Sequence, residues 1–203
     1  MARLRNKEID ILTAAIEVFL GSGFSKTNMK DIADKAQIGK GTIYEYFKNK
    51  EDLFLKALEY DHRNLIIEFN EEINKEESFF NKFMKLIETS KNISEKKIGR
   101  INYYSIFEIS ELSAKSQCEL RNVLKDMKED MKNVMYHILE KGIDEGKVKD
   151  SEIELDFVID AMAGMISFHC HKICYENNYS DEQIEEENKK LINLIMSGIG
   201  VKK

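Results

Sequence analysis

IGKGTIYEYFKNKEDLF, residues 38–54, admits two readings. Glycines on both sides of Lys40 suggest a loop that cradles a phosphate. The aromatic residues that follow suggest a short helix whose tip meets another molecule. Spacing separates the two. A nucleotide-binding phosphate loop has its first glycine five residues before the glycine of a Gly-Lys pair. It has Ser or Thr directly after the lysine and a strand in front. With Gly39-Lys40 as that pair, Asp34 stands where the first glycine belongs and Gly41 where the hydroxyl belongs. The segment in front has a helical pattern. The phosphate-loop reading fails on all three counts.

A helix-turn-helix asks for two short helices joined by a turn of three or four residues, the second exposed at its N-terminal end. Residues 28–47, NMKDIADKAQIGKGTIYEYF, have that length and apolar spacing. Ala33 is small where the helices must cross, Ile38 plugs the turn, and Ile43 and Phe47 anchor the second helix. At about 100° per residue Ile43 and Phe47 share one face. Gly41, Thr42 and Glu45 point away from it, and Tyr44 and Tyr46 flank it. Phosphate contacts position a protein on DNA and base-edge contacts specify sequence. On that division the two tyrosines are phosphate ligands at the edges of a groove. Gly41 lets bases come close, and Thr42 offers a hydroxyl and a methyl. Glu45 either accepts from cytosine N4 or simply faces solvent. Lys40, Lys48 and Lys50 are candidate phosphate neutralisers. Thr27, in the N-cap place of the first motif helix, doubles as a phosphate ligand, because helix N-termini attract anions.

At these residues the chain resembles the tetracycline-repressor (TetR) family of bacterial transcription regulators. The resembling block runs from about Ile9 to Leu58. Its strongest piece is the opening stretch, supported by AAIEVFLGSGFSKTNMKDIADKAQ. The resemblance implies an N-terminal three-helix DNA-binding domain and a C-terminal helical domain that binds a small molecule and dimerises. It implies a dimer, or a pair of dimers, on a near-palindromic operator, with effector binding disfavouring the DNA-competent form. The matching positions are Thr27, Lys40, Gly41, Thr42, Tyr44, Tyr46 and Lys50. Gly39 departs from the pattern: the family often has serine, threonine or alanine there. Glycine serves nearly as well as an N-cap, but one hydroxyl is lost.

Charge supports an anion-facing N-terminus. Residues 1–50 hold nine Lys/Arg against six Asp/Glu, a net of +3, while the remainder holds 22 against 31, a net of −9. That distribution predicts a basic module on an acidic body. Hydrophobic residues make up 42% of the 203-residue chain, enough for one or two domains with a core. Proline is absent, where average usage gives on the order of ten; long helices are therefore permitted. The first 20 residues are interrupted by Glu8, Asp10 and Glu17, unlike a signal peptide. No apolar run approaches the roughly 20 residues of a membrane span. Three cysteines without framework spacing fit a reducing cytoplasm, so the expected location is cytoplasmic, or on the nucleoid when DNA-bound.

Outward from the motif, apolar residues recur at helical spacing throughout. One helix carries Ile9 to Leu20 and ends near Gly21-Ser22-Gly23. Another begins at an Asn49 cap and runs to about Ile73. Further helices centre on Phe79–Ile87, on Ile98, Ile101, Tyr104 and Phe107, on Leu120–Leu139 with Gly146 beyond its end, and on Phe157–Tyr175. A last helix follows a Ser180 or Asp181 cap. The expectation is an all-α protein of about nine helices. Residues 1–48 form the helix-turn-helix DNA-binding domain and 49–203 the effector-binding and dimerisation domain.

Methionine is flexible and polarisable and suits irregular ligands. Met127, Met131, Met162 and Met165 with Tyr103, Tyr104, Phe107 and Phe168 are the candidate lining of an apolar effector pocket; plain core packing is the competing account. Ala161, Gly164, Leu191, Ile192, Ile195 and Ile199 are the candidate surface of a four-helix dimer interface. His169, Cys170, His171 and Cys174 include metal-ligand types, but one helix offers only part of a tetrahedral set, and no metal or cofactor is expected. No nucleophile–base set or paired carboxylates suggest an enzyme. The function expected is a DNA-binding regulator, most simply a repressor released from double-stranded operator DNA by a small, largely apolar molecule. An effector-independent DNA-organising protein is the alternative. The expected partners are operator DNA, the effector and a second copy of the chain, with no membrane.

Overall fold

The computed structural model describes residues 2–96, 111–149, 154–176 and 179–201. Among them are eight helices: α1 (Ala2–Lys26), α2 (Met29–Lys35), α3 (Lys40–Tyr46), α4 (Lys50–Ile73), α5 (Phe79–Lys96), α6 (Ala114–Asp144), α7 (Leu155–Glu176) and α8 (Asp181–Ile199). The described residues hold no strand, only an isolated antiparallel bridge between Val148 and Gly200. The protein is all-α, as its sequence leads one to expect. The helix expected around Ile98, Ile101, Tyr104 and Phe107 lies outside the described residues.

The chain divides into two compact units, Met1–Leu65 with Gly99–Lys128, and Ile66–Ile98 with Glu129–Lys203. In the first, α1 buries Ile11, Leu12, Ala15, Ile16 and Phe19 as one stripe. Its regular course breaks at Gly23, whose φ of 77° and ψ of 165° only glycine adopts cheaply. Phe19, Phe24 and Phe54 meet behind that break, with Phe54 edge-on to Phe19 at 5.2 Å and to Phe24 at 5.1 Å. Such pairs add about 0.5–1.5 kcal/mol beyond the area they bury. Ile32, Ala33, Ile43, Phe47, Leu53 and Leu58 complete this core, joined by Leu112, Leu120 and Val123.

In the second unit, α5 packs on α7 and α8. Phe79 and Phe83 stack at 5.9 Å. A Cβ on Gly142 would stand 2.6 Å from the Val148 side chain and 2.8 Å from the Phe79 ring, so the close approach requires glycine. Gly146, at φ 63°, turns the chain after α6, and its amide donates to the Ile143 carbonyl. The Lys149 amide then donates to the Ile199 carbonyl and the Val201 amide to that of Lys147, which pins the end of α8. His169 and Asn188, both buried, satisfy each other at 2.8 Å. α8 opens on a capping box between Ser180 and Gln183.

Candidate nucleic-acid interface

α2 and α3 are seven residues each, too short to persist alone, so their placement rests on caps and anchors. Asn28 caps α2. Its side chain accepts from the amides of Lys30 and Asp31, and its own amide donates to the Asp31 carboxylate. This corrects the assignment of the cap to Thr27. The Thr27 side chain is only 2% exposed and donates to the Gly23 carbonyl at 2.7 Å. It closes the α1–α2 turn from inside.

The α2–α3 turn is built on Gln37, a rare non-glycine residue with positive φ, at 56°. The Ile38 amide donates to the Ala33 carbonyl across the turn. Gly39 is the N-cap of α3, extended and without a side-chain cap bond. Ile43 and Phe47, 0% and 1% exposed, pin α3 to the core, and burying such side chains is worth roughly 1.5–3 kcal/mol each. Lys40, Gly41, Tyr44, Glu45 and Lys48 are exposed, Thr42 is half-buried, and a Cβ on Gly41 would meet nothing within 4 Å. The helix thus presents its N-terminal half to solvent. Tyr44 is 49% exposed, whereas Tyr46 is partly buried against the core. The two flanking phenols are therefore unequal.

Lys50 sits differently from its neighbours. Its ammonium donates to the carbonyls of Phe24 at 2.8 Å and Thr27 at 3.0 Å, approaches that of Ser25 at 3.5 Å, and lies 4.2 Å from the centroid of the Phe24 ring. One residue on, Glu51 accepts from the Ser113 amide at 2.9 Å and from the hydroxyls of Ser113 and Ser116 at 2.6 and 2.5 Å. The Ser113 hydroxyl, then that of Ser116, then the Ser113 amide hold its carboxyl below the ordinary range. Asn49 caps α4 by accepting from the Asp52 amide at 2.8 Å. The sequence reading missed Asn28, although Asn28 and Asp31 carry the box spacing. It also missed Glu51, whose partners lie 62 and 65 positions away.

The candidate effector and dimer residues are scattered. Tyr103, Tyr104 and Phe107 lie outside the described residues. Met162 is core, Met131 and Met165 are half-buried, and Met127 packs against the core of the first unit. Phe168 is 71% exposed and lines no interior space. A cleft of about 370 Å³ lies elsewhere, between α5 and α8, where Met84 and Ile184 stand beside Glu88, Lys91, Asp181 and Asn188. Ala161 and Gly164 are exposed, but Leu191, Ile192, Ile195 and Ile199 face the core of their own protomer. On α7 and α8 the exposed large apolar side chains are Phe157, Phe168 and Leu194, with Val201 just beyond the end of α8; Ile67 and Phe80 are exposed on α4 and α5. Cys170 and Cys174 are buried, and burial drives the Cys170 thiol up to about 12. No group of metal-ligating side chains assembles among the described residues.

An exposed second helix, anchored from behind and introduced by a tight turn, defines a helix-turn-helix DNA-binding regulator. The pattern of the bacterial regulatory proteins of the tetR family matches residues 11–57, which include this motif. Over those residues the chain is similar to that family. It is 28% identical over 151 residues to the fatty acid metabolism regulator protein of Bacillus subtilis (strain 168), covering 74% of this chain and 75% of the relative. The B. subtilis regulator FadR in complex with stearoyl-CoA superposes with a TM-score of 0.71 at 21% identity, over 94% of this chain and 98% of that one. The transcriptional activator FasR of Mycolicibacterium smegmatis is 38% identical over 56 residues, 28% of this chain and 26% of the relative.

Proposed function

We propose that this protein is a dimeric transcriptional repressor that leaves its operator when it binds a long-chain fatty acyl thioester. The observation that carries the DNA-binding half is α3, with Ile43 and Phe47 buried and Lys40, Gly41, Tyr44 and Glu45 exposed. Residues 1–48 contact DNA in this reading, and residues 49–203 bind effector and dimerise. In a dimer two such helices enter successive major grooves about 34 Å apart. The acyl half is supported by the B. subtilis relative, whose structure holds stearoyl-CoA. Half-buried Met131 and Met165 supply flexible apolar surface for a chain. The dimer face is Phe157, Ala161, Gly164 and Phe168, at steps of four, three and four on one exposed side of α7. No described helix is long and apolar enough to cross a membrane.

A mobility shift with DNA upstream of the gene tests both halves. Salt-sensitive, sequence-specific binding is expected, with release by stearoyl-CoA and none by coenzyme A alone. Binding that no acyl chain length alters would leave an effector-independent DNA-binding protein.

A further inference from the structure

We infer that the cleft between α5 and α8 is a ligand site in its own right, for an elongated small molecule with an ammonium at one end and an oxygen acceptor at the other. At about 370 Å³ the cleft has the size of a small-molecule pocket. Two helical stripes line it. Met84, Glu88 and Lys91 stand at i, i+4 and i+7 on α5, and Asp181, Ile184, Glu185 and Asn188 at i, i+3, i+4 and i+7 on α8. Such spacing puts each set on one side of its helix. Facing helices usually close on apolar stripes, whereas these two stand apart and carry charge.

The charge is mostly of one sign. Three carboxylates and one ammonium line the cleft. The ammonium is engaged already, because Lys91 pairs with Glu95 at 2.9 Å. Glu88 and Glu185 hold Lys85 and Lys189 on their own helices, each at 2.6 Å. Asp181 has no ion pair among the described residues. A cation in the cleft therefore meets in Asp181 a carboxylate for which no lysine competes.

Acidic side chains alone make a solvated groove; Asn188 adds the second requirement. It lines the cleft and yet is only 7% exposed. Its Oδ1 lies 2.8 Å from Nε2 of buried His169. With the imidazole donating there, the amide NH2 keeps two donors and has no acceptor among the described residues. The group is not sealed in protein, so its open side is the cleft. A buried amide donor is costly to leave unmatched. Asp181 and Asn188 are seven residues apart on α8, about 10 Å along the axis. Ile184 lies between them, and Met84 lines the cleft from α5. A linear molecule that carries its charge and its oxygen at opposite ends of an apolar chain meets all four residues. A compact amino alcohol does not span the interval.

The test uses the full-length protein with labelled methionine methyls, read by NMR, the Met84 signal being assigned with M84L. It needs neither DNA nor an acyl thioester, so it stands or falls apart from the repressor reading. The probe is aminohexanol, amine and hydroxyl at opposite chain ends, titrated to about 10 mM. It should shift the Met84 signal saturably and leave that of Met127, which packs in the first unit, in place. Hexylamine lacks the oxygen and hexanol the charge, and each should bind about tenfold more weakly. Ethanolamine, too short, should not saturate the shift. D181N should weaken aminohexanol by about tenfold. E186Q, at an exposed carboxylate of α8 outside the cleft, should leave it unchanged. No saturable shift at Met84, equal binding to D181N and the wild type, or hexylamine as tight as aminohexanol overturns the inference. Should D181N not fold, the comparison of aminohexanol, hexylamine and hexanol on the wild type decides without a variant.

Discussion

The tip and the base of the DNA-binding head use the same residue types for opposite purposes. At the tip, Lys40, Lys48 and Tyr44 face solvent and Gly41 has open space around it. At the base, Lys50 is held by carbonyls, Thr27 by the Gly23 carbonyl, and Glu51 by two serines. Lys48 and Lys50 are two positions apart, yet the first is exposed and the second is engaged by the carbonyls of Phe24 and Thr27. The head therefore separates a surface free to take a ligand from a frame whose polar groups are already satisfied. Substitutions at the tip should move DNA binding more than stability, and those at the base should do the reverse, except where a base residue sets the angle of the tip.

The anchor between them comes first, because it serves both. F47A removes a side chain that is 1% exposed and should cost about 3–5 kcal/mol. Urea unfolding would read this as a lower midpoint, and operator binding should vanish with it. A fall below about 1 kcal/mol would mean that α3 is not held from behind. Next is T27V, which keeps the shape and deletes the donor to the Gly23 carbonyl. An acceptor left unpaired costs about 1–3 kcal/mol. Because the hydroxyl is buried, the salt slope on DNA should not change. A slope that flattened would return Thr27 to the phosphate contacts.

Much of this arrangement is written in local sequence. The i, i+3 and i+4 spacing of Ile11, Ala15, Ile16 and Phe19 gives α1, and Ile43 with Phe47 gives the face on which α3 rests. The exposed tip follows by subtraction. The base was less legible, because its contacts join distant positions: Lys50 reaches residues 23 to 26 positions away, and no periodicity encodes that. Thr27 and Asn28 are adjacent and both good N-caps, and only the box spacing of Asn28 with Asp31 separates them in the sequence. α8 failed for another reason. Leu191, Ile192, Leu194 and Ile195 are all apolar, and a helix apolar on two sides does not declare which side meets its own core. The structure turns Leu194 outward and the others in.

G41A sharpens the contrast with a change of sign. Alanine is favoured over glycine in a helix by about 0.8–1.0 kcal/mol, and a Cβ here meets nothing within 4 Å. The folded protein should become slightly more stable in urea. Operator binding should weaken, because the same methyl would stand between the backbone and the bases. A variant stabilised by this amount and unchanged on DNA would place the bases beyond reach of the Gly41 backbone.

The smallest expected effect tests whether base charges belong to the frame. The Glu51 carboxylate accepts first from the Ser113 hydroxyl, then from that of Ser116 and the Ser113 amide, and these bonds depress its pKa. A carboxyl with a depressed folded pKa binds its proton more readily in the unfolded chain. It therefore contributes stability that is whole above the ordinary glutamate value and is lost as pH falls below that value through the folded one. Glu51 is partly solvated, so the contribution is on the order of 1 kcal/mol or less. E51Q should lower the urea midpoint slightly at neutral pH and should differ least from the wild type in acid, below the folded value. Two curves that stayed parallel down to that pH would mean that the serines bind carboxylate and amide equally well. Operator affinity at neutral pH should barely move, since the Glu51 side chain is turned toward Ser113 and Ser116. A large gain in affinity on removing this negative charge would place Glu51 beside the phosphates, and the division between tip and base would fail there.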